Sequence, residues 1–366
     1  MNYLLIGPAW VGDMVMAHCL VQRISQGDPA ADIQIVAPPA TAAIAERMAE
    51  VAQVHTLEVA HGELGLGTRW QLGRRLAQRD WDQAFVLPNS WKSALLPLFA
   101  RASKRTGWLG EARYGLLNDT RALPQDRWPL MIERFMALTD VSQTELPKPY
   151  PLPKLKVDAQ KQAAAIAQFG LVGDARAIAL CPGAQFGPAK QWPAQHFATL
   201  ASRCVQQGYQ VWLLGGPADQ AICAEISQRC ADLLRQAPAQ ADGGVVDLCG
   251  KTDLATAVDL LAAAAAVVAN DSGLMHIACA VDTPVVAVYG STSPEFTPPL
   301  HDRAQVISLV TLSNHATETT DVPPPLDCQP CFQRDCRYGH TNCLHQLPPA
   351  TVVAGLARTG LRFESA

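Results

Sequence analysis

The chain has 366 residues, 49% of them hydrophobic, and a formal net charge of −4. That length accommodates two domains with a full core each, and the acidic balance argues against nucleic-acid binding driven by overall charge. No run of 18 apolar residues occurs, and Met1-Asn2-Tyr3-Leu4-Leu5-Ile6-Gly7 lacks a basic leader, so a first strand is expected rather than a membrane span or signal peptide. A cytoplasmic chain would keep its 11 cysteines mostly reduced.

The first half alternates short β-branched runs with helical ones. Strands are expected at Tyr3–Gly7, Ile33–Ala37, His55–Val59, Gln83–Leu87 and Lys104–Trp108. Helices are expected from the Gly12-Asp13 turn to about Gln26, and at Thr41–Met48, Trp70–Arg79 and Lys92–Ala100. Such alternation means a parallel, doubly wound sheet. Asp140 to Pro153 carries Pro147, Pro149, Pro151 and Pro153 with little apolar periodicity, and reads as a linker. The alternation then restarts. Helices are expected at Asp158–Phe169, His196–Gln207, Asp219–Leu234 and Leu254–Ala264, and strands at Ile178–Cys181, Gln210–Leu214, Val245–Leu248, Val267–Ala269 and Val285–Tyr289. The expected α/β architecture is two Rossmann-like domains, 1–150 and 151–347, around a cleft, with a terminal helix in 348–366.

Four turns in the second domain carry chemistry. Asn270-Asp271-Ser272-Gly273-Leu274-Met275-His276 joins a buried strand to a helix, with Asp271 or Ser272 as N-cap and Gly273 allowing close approach. Free N–H groups and the positive dipole end there favour phosphate, although many such turns bind nothing. Pro182-Gly183-Ala184-Gln185-Phe186-Gly187-Pro188-Ala189-Lys190 supplies glycines and one lysine, a point charge suited to a diphosphate or else a surface lysine before a helix. Gly215-Gly216-Pro217-Ala218-Asp219 offers a carboxylate for a helix cap or a ribose. Gly290-Ser291-Thr292 adds hydroxyls. Neither a Walker A loop nor a GxGxxG fingerprint is present. Together these strand ends describe a nucleoside diphosphate held by backbone N–H groups and a lysine. In the first domain the Gly7–Asp13 turn delivers Asp13, which serves as an N-cap or as a proton acceptor.

Between Arg69 and Arg121 stand ten basic residues against four acidic ones, a local positive stretch in an acidic chain. It reads either as solvated helix faces or as the surface for an anionic partner. In the tail, Cys328-x2-Cys331-x4-Cys336-x6-Cys343, with His340 and His345 near, has the composition of a metal site. Its second pair is too widely spaced for a zinc ribbon, so reduced or paired structural cysteines are expected and no metal is assigned.

Several motifs resemble the bacterial ADP-heptose:lipopolysaccharide heptosyltransferases over almost the whole chain. They are Gly12-Asp13-Met14, the Pro-Gly-x4-Gly-x2-Lys-x-Trp-Pro pattern at 182–193, Gly215-Gly216-x2-Asp219, Asn270-Asp271-Ser272-Gly273-x2-His276 and Pro284-Val285-x4-Gly290-Ser291-Thr292. Leu87–Ala94, Arg105–Trp108, Arg113–Asp119 and the cysteine-rich stretch point to the type II branch. The resemblance implies a GT-B fold and inverting, metal-independent transfer of L-glycero-D-manno-heptose from ADP-heptose to the first heptose of the inner core, without a cofactor. It implies Asp13 as general base and Lys190 as stabiliser of the leaving group. The donor would be held by Gly183, Gln185, Gly187, Gly216, Asp219, Asp271, Ser272, Gly273, Leu274 and His276. Lys92, Arg105 and Arg113 would meet a heptosyl-Kdo2-lipid A acceptor, with peripheral contact at the cytoplasmic face of the inner membrane through residues such as Trp91 and Leu95. A type I or III heptosyltransferase, or a nucleotide-sugar epimerase of the same shape, are the alternatives.

Overall fold

A computed structural model describes residues 1–60, 62–139, 145–173, 176–236, 244–314 and 323–363. The chain forms two compact units, Met1–Lys156 with Glu295–Thr297, and Val157–Pro294 with Pro298–Ala366. The first contains β1 (Asn2–Ile6), α1 (Val11–Gly27), β2 (Asp32–Ala37), α2 (Pro39–Glu46), β3 (Val51–Thr56), α3 (Leu66–Leu76), β4 (Gln83–Val86), α4 (Trp91–Phe99), β5 (Lys104–Trp108), β6 (Asp119–Arg121) and α5 (Met131–Met136). The second contains α6 (Ala159–Gln168), β7 (Ala177–Cys181), α7 (Ala194–Gln206), β8 (Gln210–Leu213), α8 (Gln220–Arg235), β9 (Val245–Asp247) and α9 (Leu254–Ala263). It continues with β10 (Ala266–Asn270), α10 (Gly273–Ala280), β11 (Val285–Val288), β12 (Gln305–Ile307), α11 (Leu309–Asn314), α12 (Asn342–His345) and α13 (Pro349–Arg358).

Each unit holds one six-stranded sheet, ordered β3-β2-β1-β4-β5-β6 and β12-β11-β10-β7-β8-β9. Every ladder is parallel. Counted within each unit, both follow the doubly wound order 3-2-1-4-5-6, so each reverses direction once, between β1 and β4 and between β7 and β10. The strands bordering the second reversal, Ala-Ile-Ala-Leu-Cys and Ala-Val-Val-Ala-Asn, are fully buried. Covered by helices on both faces, such strands are apolar without alternation. Trp192, Phe197, Leu200 and Val205 pack α7 and the turn before it onto this sheet.

Differences from the sequence reading are local. The third strand is Val51–Thr56 rather than His55–Val59. Leu57 still donates its N–H to Ala37 at 2.9 Å, but the Val59 N–H turns back to Leu57 at 2.8 Å and leaves the ladder. β6, α5 and β12 are too short, at 3, 6 and 3 residues, to show periodicity. Part of the expected linker, 140–144, lies outside the described residues. The remainder is fastened to the first unit: the Tyr150 hydroxyl donates to Glu133 at 2.7 Å, Lys154 N–H to His18 Nδ1 at 3.0 Å, and Lys156 N–H to the Arg47 carbonyl at 2.9 Å. Cys223 and Cys249 form a disulfide, against the expectation of reduced thiols there. Among the described residues no helix is long and apolar enough to cross a membrane.

Candidate functional site

Ligands of doubly wound sheets sit beyond the carboxyl ends of the strands flanking the reversal. In the second unit those ends are the turn after β7, carrying Gly183 to Lys190, and the turn after β10, carrying Asp271 and Ser272. Asn270, completely buried, joins them. Its Oδ1 accepts the Trp192 N–H at 3.0 Å and its Nδ2 donates to the Pro182 carbonyl at 2.7 Å. The second turn is thereby pinned to the first by both ends of one amide.

Lys190 lies on a short 3-10 turn, Pro188–Lys190. Its Nζ donates to Asp271 Oδ2 at 2.7 Å and stands 4.9 Å from the centre of the Phe186 ring. The pair is well shielded, with side chains 15% and 5% exposed. Ser272 is the N-cap of α10 in extended backbone, but its hydroxyl makes no cap bond and is buried without a partner among the described residues. The N–H groups at the start of α10 are therefore not consumed by a side-chain cap from Ser272. His276 is one turn into α10. Burial, tempered by Asp271 and reinforced by Lys190, pushes its imidazole down to about 4, so it is neutral at pH 7. The hydroxyls of Ser291 and Thr292 beyond β11 are likewise buried and unpartnered among the described residues.

The other residues expected to hold the donor lie on the neighbouring turns. A Cβ at Gly183 would strike the Asp219 carboxylate, and one at Gly187 would strike the Arg334 carbonyl oxygen. Asp219 Oδ2 accepts the Gly216 N–H at 2.9 Å; burial raises its carboxyl and that bond opposes the rise. Asp219 occupies the N-cap position of α8, yet its carboxylate bonds backwards and makes no cap bond to that helix. Gln185 and Gly216 are exposed and Leu274 half-buried.

In the first unit Asp13 is the third residue of α1, in its first turn, and half-buried. Trp10, not Asp13, is the N-cap. The carboxylate stands in the first turn of α1, at the positive end of the helix dipole beyond β1.

The residues expected to meet the acceptor differ in exposure, and Arg113 does not stand at the surface as expected. Arg113 is 0% exposed, and its guanidinium donates to the carbonyls of Pro88, at 2.8 Å, and Trp108, and to Asn89 Oδ1, at 3.2 Å. It is a brace for the turn after β4, not a surface charge. Arg105 donates to the Leu116 and Ala102 carbonyls at 2.7 and 2.9 Å, and Arg69, also buried, to the Leu64 carbonyl at 2.7 Å. Lys92 is half-buried with its ammonium 3.3 Å from the Glu63 carbonyl. Leu95 is buried, while Trp91 is exposed. A guanidinium has five donors in a fixed fork, and loops with unpaired carbonyls absorb them.

The sequence alone leaves two features unseen. Asn270 carries no assigned task there, although a polar residue closing an all-apolar strand signals one. The Lys190–Asp271 pairing follows only once β7 and β10 are known to be neighbours.

Two parallel, doubly wound units, one with a shielded lysine–aspartate pair at a helix N-terminus beyond its strand reversal, are the build of a nucleotide-using GT-B glycosyltransferase. The chain belongs to glycosyltransferase family 9, the heptosyltransferases, whose family model matches residues 69–340. It is similar to lipopolysaccharide heptosyltransferase 2 of Salmonella typhimurium, 44% identical over 316 residues, covering 85% of this chain and 89% of that one. It is 45% identical over 318 residues to lipooligosaccharide heptosyltransferase 2 of Haemophilus influenzae, covering 85% and 89%. The solved structure of E. coli ADP-heptose lipopolysaccharide heptosyltransferase II superposes with a TM-score of 0.80 at 38% identity, covering 98% of each chain.

Two outcomes follow. Arg113→Ala strands three acceptors and should cost about 2–4 kcal/mol in urea unfolding; wild-type stability with weakened acceptor binding would return Arg113 to the acceptor site. His276 binds its proton more weakly folded than unfolded. Its contribution is full above about pH 6.5 and is lost as pH falls toward about 4. Urea midpoints at pH 7, 6 and 5 should drop more steeply for the wild type than for His276→Gln, and parallel curves would contradict the neutral assignment.

Proposed function

We propose that the chain moves L-glycero-D-manno-heptose from ADP-heptose onto the first heptose of the lipopolysaccharide inner core, with inversion and with heptosyl-Kdo2-lipid A as acceptor. The observation that carries the donor half is the shielded Lys190–Asp271 pair at the N-terminus of α10, 2.7 Å apart beside a neutral imidazole. Breaking a glycosyl–phosphate bond puts negative charge on the diphosphate. Lys190 and the N–H groups of Ser272, Gly273 and Leu274 supply fixed positive potential where that charge develops. His276, being neutral, donates or accepts a hydrogen bond without adding a competing charge. Gly183, Gln185 and Gly187 line the diphosphate turn, and Gly216 and Asp219 the nucleoside end.

Asp13 takes the proton from the acceptor hydroxyl as that oxygen attacks the anomeric carbon. One carboxylate acting opposite the leaving group yields inversion; a retaining route through a glycosyl-enzyme would use a second carboxylate as nucleophile. Support for the acceptor comes from the kinship with type 2 enzymes rather than from Lys92 and Arg105, which are half-buried, or Arg113, which is buried.

We further place the enzyme at the cytoplasmic face of the inner membrane as a peripheral protein. Exposed Leu66 and Trp70 on α3 and Trp91 on α4, beside exposed Arg74 and Arg75, form an apolar and basic surface suited to anionic headgroups.

The deciding experiment incubates the enzyme with ADP-heptose and acceptors bearing zero, one or two heptoses, read by mass. The one-heptose acceptor should gain a single heptose; transfer to the heptose-free acceptor instead would identify a first-heptose enzyme. Asp13→Ala should bind ADP as the wild type does and lose about 10²–10⁴-fold in turnover. Lys190→Ala should weaken ADP-heptose binding and slow turnover together, and unchanged values of both would remove it from the site.

A further inference from the structure

Between α11 and α12, residues 323–341 contain neither helix nor strand, yet they are fastened to two turns of the proposed donor site. At the turn after β11, Gln329 Nε2 donates to the Gly290 carbonyl at 2.9 Å, and the Phe332 N–H to the Ser291 carbonyl at 2.7 Å. At the turn after β7, Arg334 makes two attachments itself. Its carbonyl accepts the Ala189 N–H at 3.1 Å, and its Nε donates to the Phe186 carbonyl at 2.7 Å. In the sheet β10 lies between β11 and β7, so the segment bridges the turns on either side of the start of α10.

The bridge brings a second cation to the first. The Arg334 guanidinium lies 5.7 Å from the centre of the Phe186 ring, and the Lys190 ammonium 4.9 Å from the same centre. Lys190 is paired with Asp271, whereas Arg334 is exposed and makes no ion pair among the described residues. Two like charges gathered at one ring repel each other, and a ring face offsets that by only about 0.5–1 kcal/mol at an exposed site. An arginine with no further task would extend into water; this one is held back against the turn by its Nε bond. That bond leaves the terminal nitrogens unused among the described residues, and their N–H groups form a planar grip suited to an oxyanion. The same turns carry the Ser291 and Thr292 hydroxyls, and the start of α10 that of Ser272, all buried without partners among the described residues. Unpartnered hydroxyls beside an unpaired cation are groups that a bound oxyanion satisfies together.

We propose that Arg334 is a donor-binding residue, a second cation that grips the sugar-bearing phosphate of the nucleotide sugar, an inference that rests on the donor reading given above. The sheet order selects that phosphate. The nucleoside end is placed at the turn after β8, on one side of β7, whereas the tail arrives from β11, on the other side. Arg334 therefore meets the phosphate farther from the nucleoside. The two cations divide the work. Lys190, held by its aspartate, presents little net charge to an arriving diphosphate, while the unpaired guanidinium presents a whole one. Arg334 forms no covalent bond and moves no proton. When the glycosyl–phosphate bond breaks, the electron pair stays on an oxygen of the phosphate its N–H groups already hold.

Calorimetric titration of the full-length protein with ADP and with AMP tests this without sugar or acceptor. Arg334→Ala should weaken ADP binding about tenfold and leave AMP binding nearly unchanged, so that the preference for ADP shrinks by the same factor. Arg334→Gln separates charge from bracing, because its amide N–H still reaches the Phe186 carbonyl but carries no charge. It should lose as much ADP affinity as the alanine variant, and Arg334→Lys should recover part of it. The KM for ADP-heptose should rise with the same ranking, with kcat changing less. Arg337→Ala, which removes another exposed guanidinium of the tail, 4.8 Å from the Tyr338 ring, should bind ADP as the wild type does. Wild-type ADP affinity in Arg334→Gln would reduce Arg334 to a brace for the turn and overturn the proposal. Equal losses of ADP and AMP would overturn it too, as would an Arg337→Ala variant as impaired as Arg334→Ala. Wild-type protein that binds ADP with this preference but transfers no heptose would end the transferase reading and leave Arg334 in place, whereas wild-type protein that does not bind ADP would end both.

Discussion

The proposed donor site depends on one buried amide. Asn270 closes β10 at zero exposure and uses both ends of its side chain on the neighbouring turn. A buried polar group is tolerated only when its hydrogen bonds are made, and leaving one unmade costs about 1–3 kcal/mol. Here the satisfied amide also fixes geometry. It holds the β7 turn against the start of α10, so that Lys190 meets Asp271. Without it the lysine would be a flexible cation on a glycine-rich loop. An aspartate at position 270 would accept the Trp192 N–H but could not donate to Pro182, and a leucine would do neither.

The fold was legible because parallel strands buried on both faces announce themselves as apolar runs. Ile178–Cys181 and Val267–Ala269 are of this kind, and the β10-to-α10 turn shows a polar break at Asn270. The short edge elements were not legible, since Asp119–Arg121 and Gln305–Ile307 have three residues each and no period to detect. The third strand was displaced because Val51-Ala-Gln-Val-His-Thr is weakly apolar, whereas the following Leu57-Glu-Val alternates better while lying beyond the ladder.

The charge pattern was legible only in part, for a different reason. A surplus of arginines between 69 and 121 suggested a basic face, but a sequence does not say which way a guanidinium points. Arg69, Arg105 and Arg113 turn inward to carbonyls, and Arg121 turns to Asp119 at 2.7 Å and the Leu138 carbonyl at 2.7 Å. The irregular loops between Leu87 and Asp119 leave carbonyls that no strand partner satisfies, and arginine is the side chain with donors enough to reach several. Clustering of arginine along a chain is thus as consistent with loop bracing as with anion binding. Exposure separates the two, and by that measure Arg74, Arg75, Arg79, Arg101 and Lys104 are the charges of this stretch that face solvent.

In the proposed transfer, the Lys190–Asp271 contact also limits what the lysine does. An ammonium already 2.7 Å from a carboxylate is largely neutralised as seen from outside. Attraction for a distant diphosphate is then modest, and the helix N-terminus and open glycine turns carry more of the initial binding. The balance changes as the glycosyl–phosphate bond breaks, because the added negative charge appears at close range in a shielded site, where Coulomb terms are several times larger than in water. An ammonium carries more donors than the contacts with Asp271 use, so Lys190 can meet a phosphate oxygen without releasing its carboxylate. A lysine held in place by its aspartate is therefore worth more to the departing ADP than to the resting donor, and that difference, rather than tight ground-state binding, is what lowers a barrier.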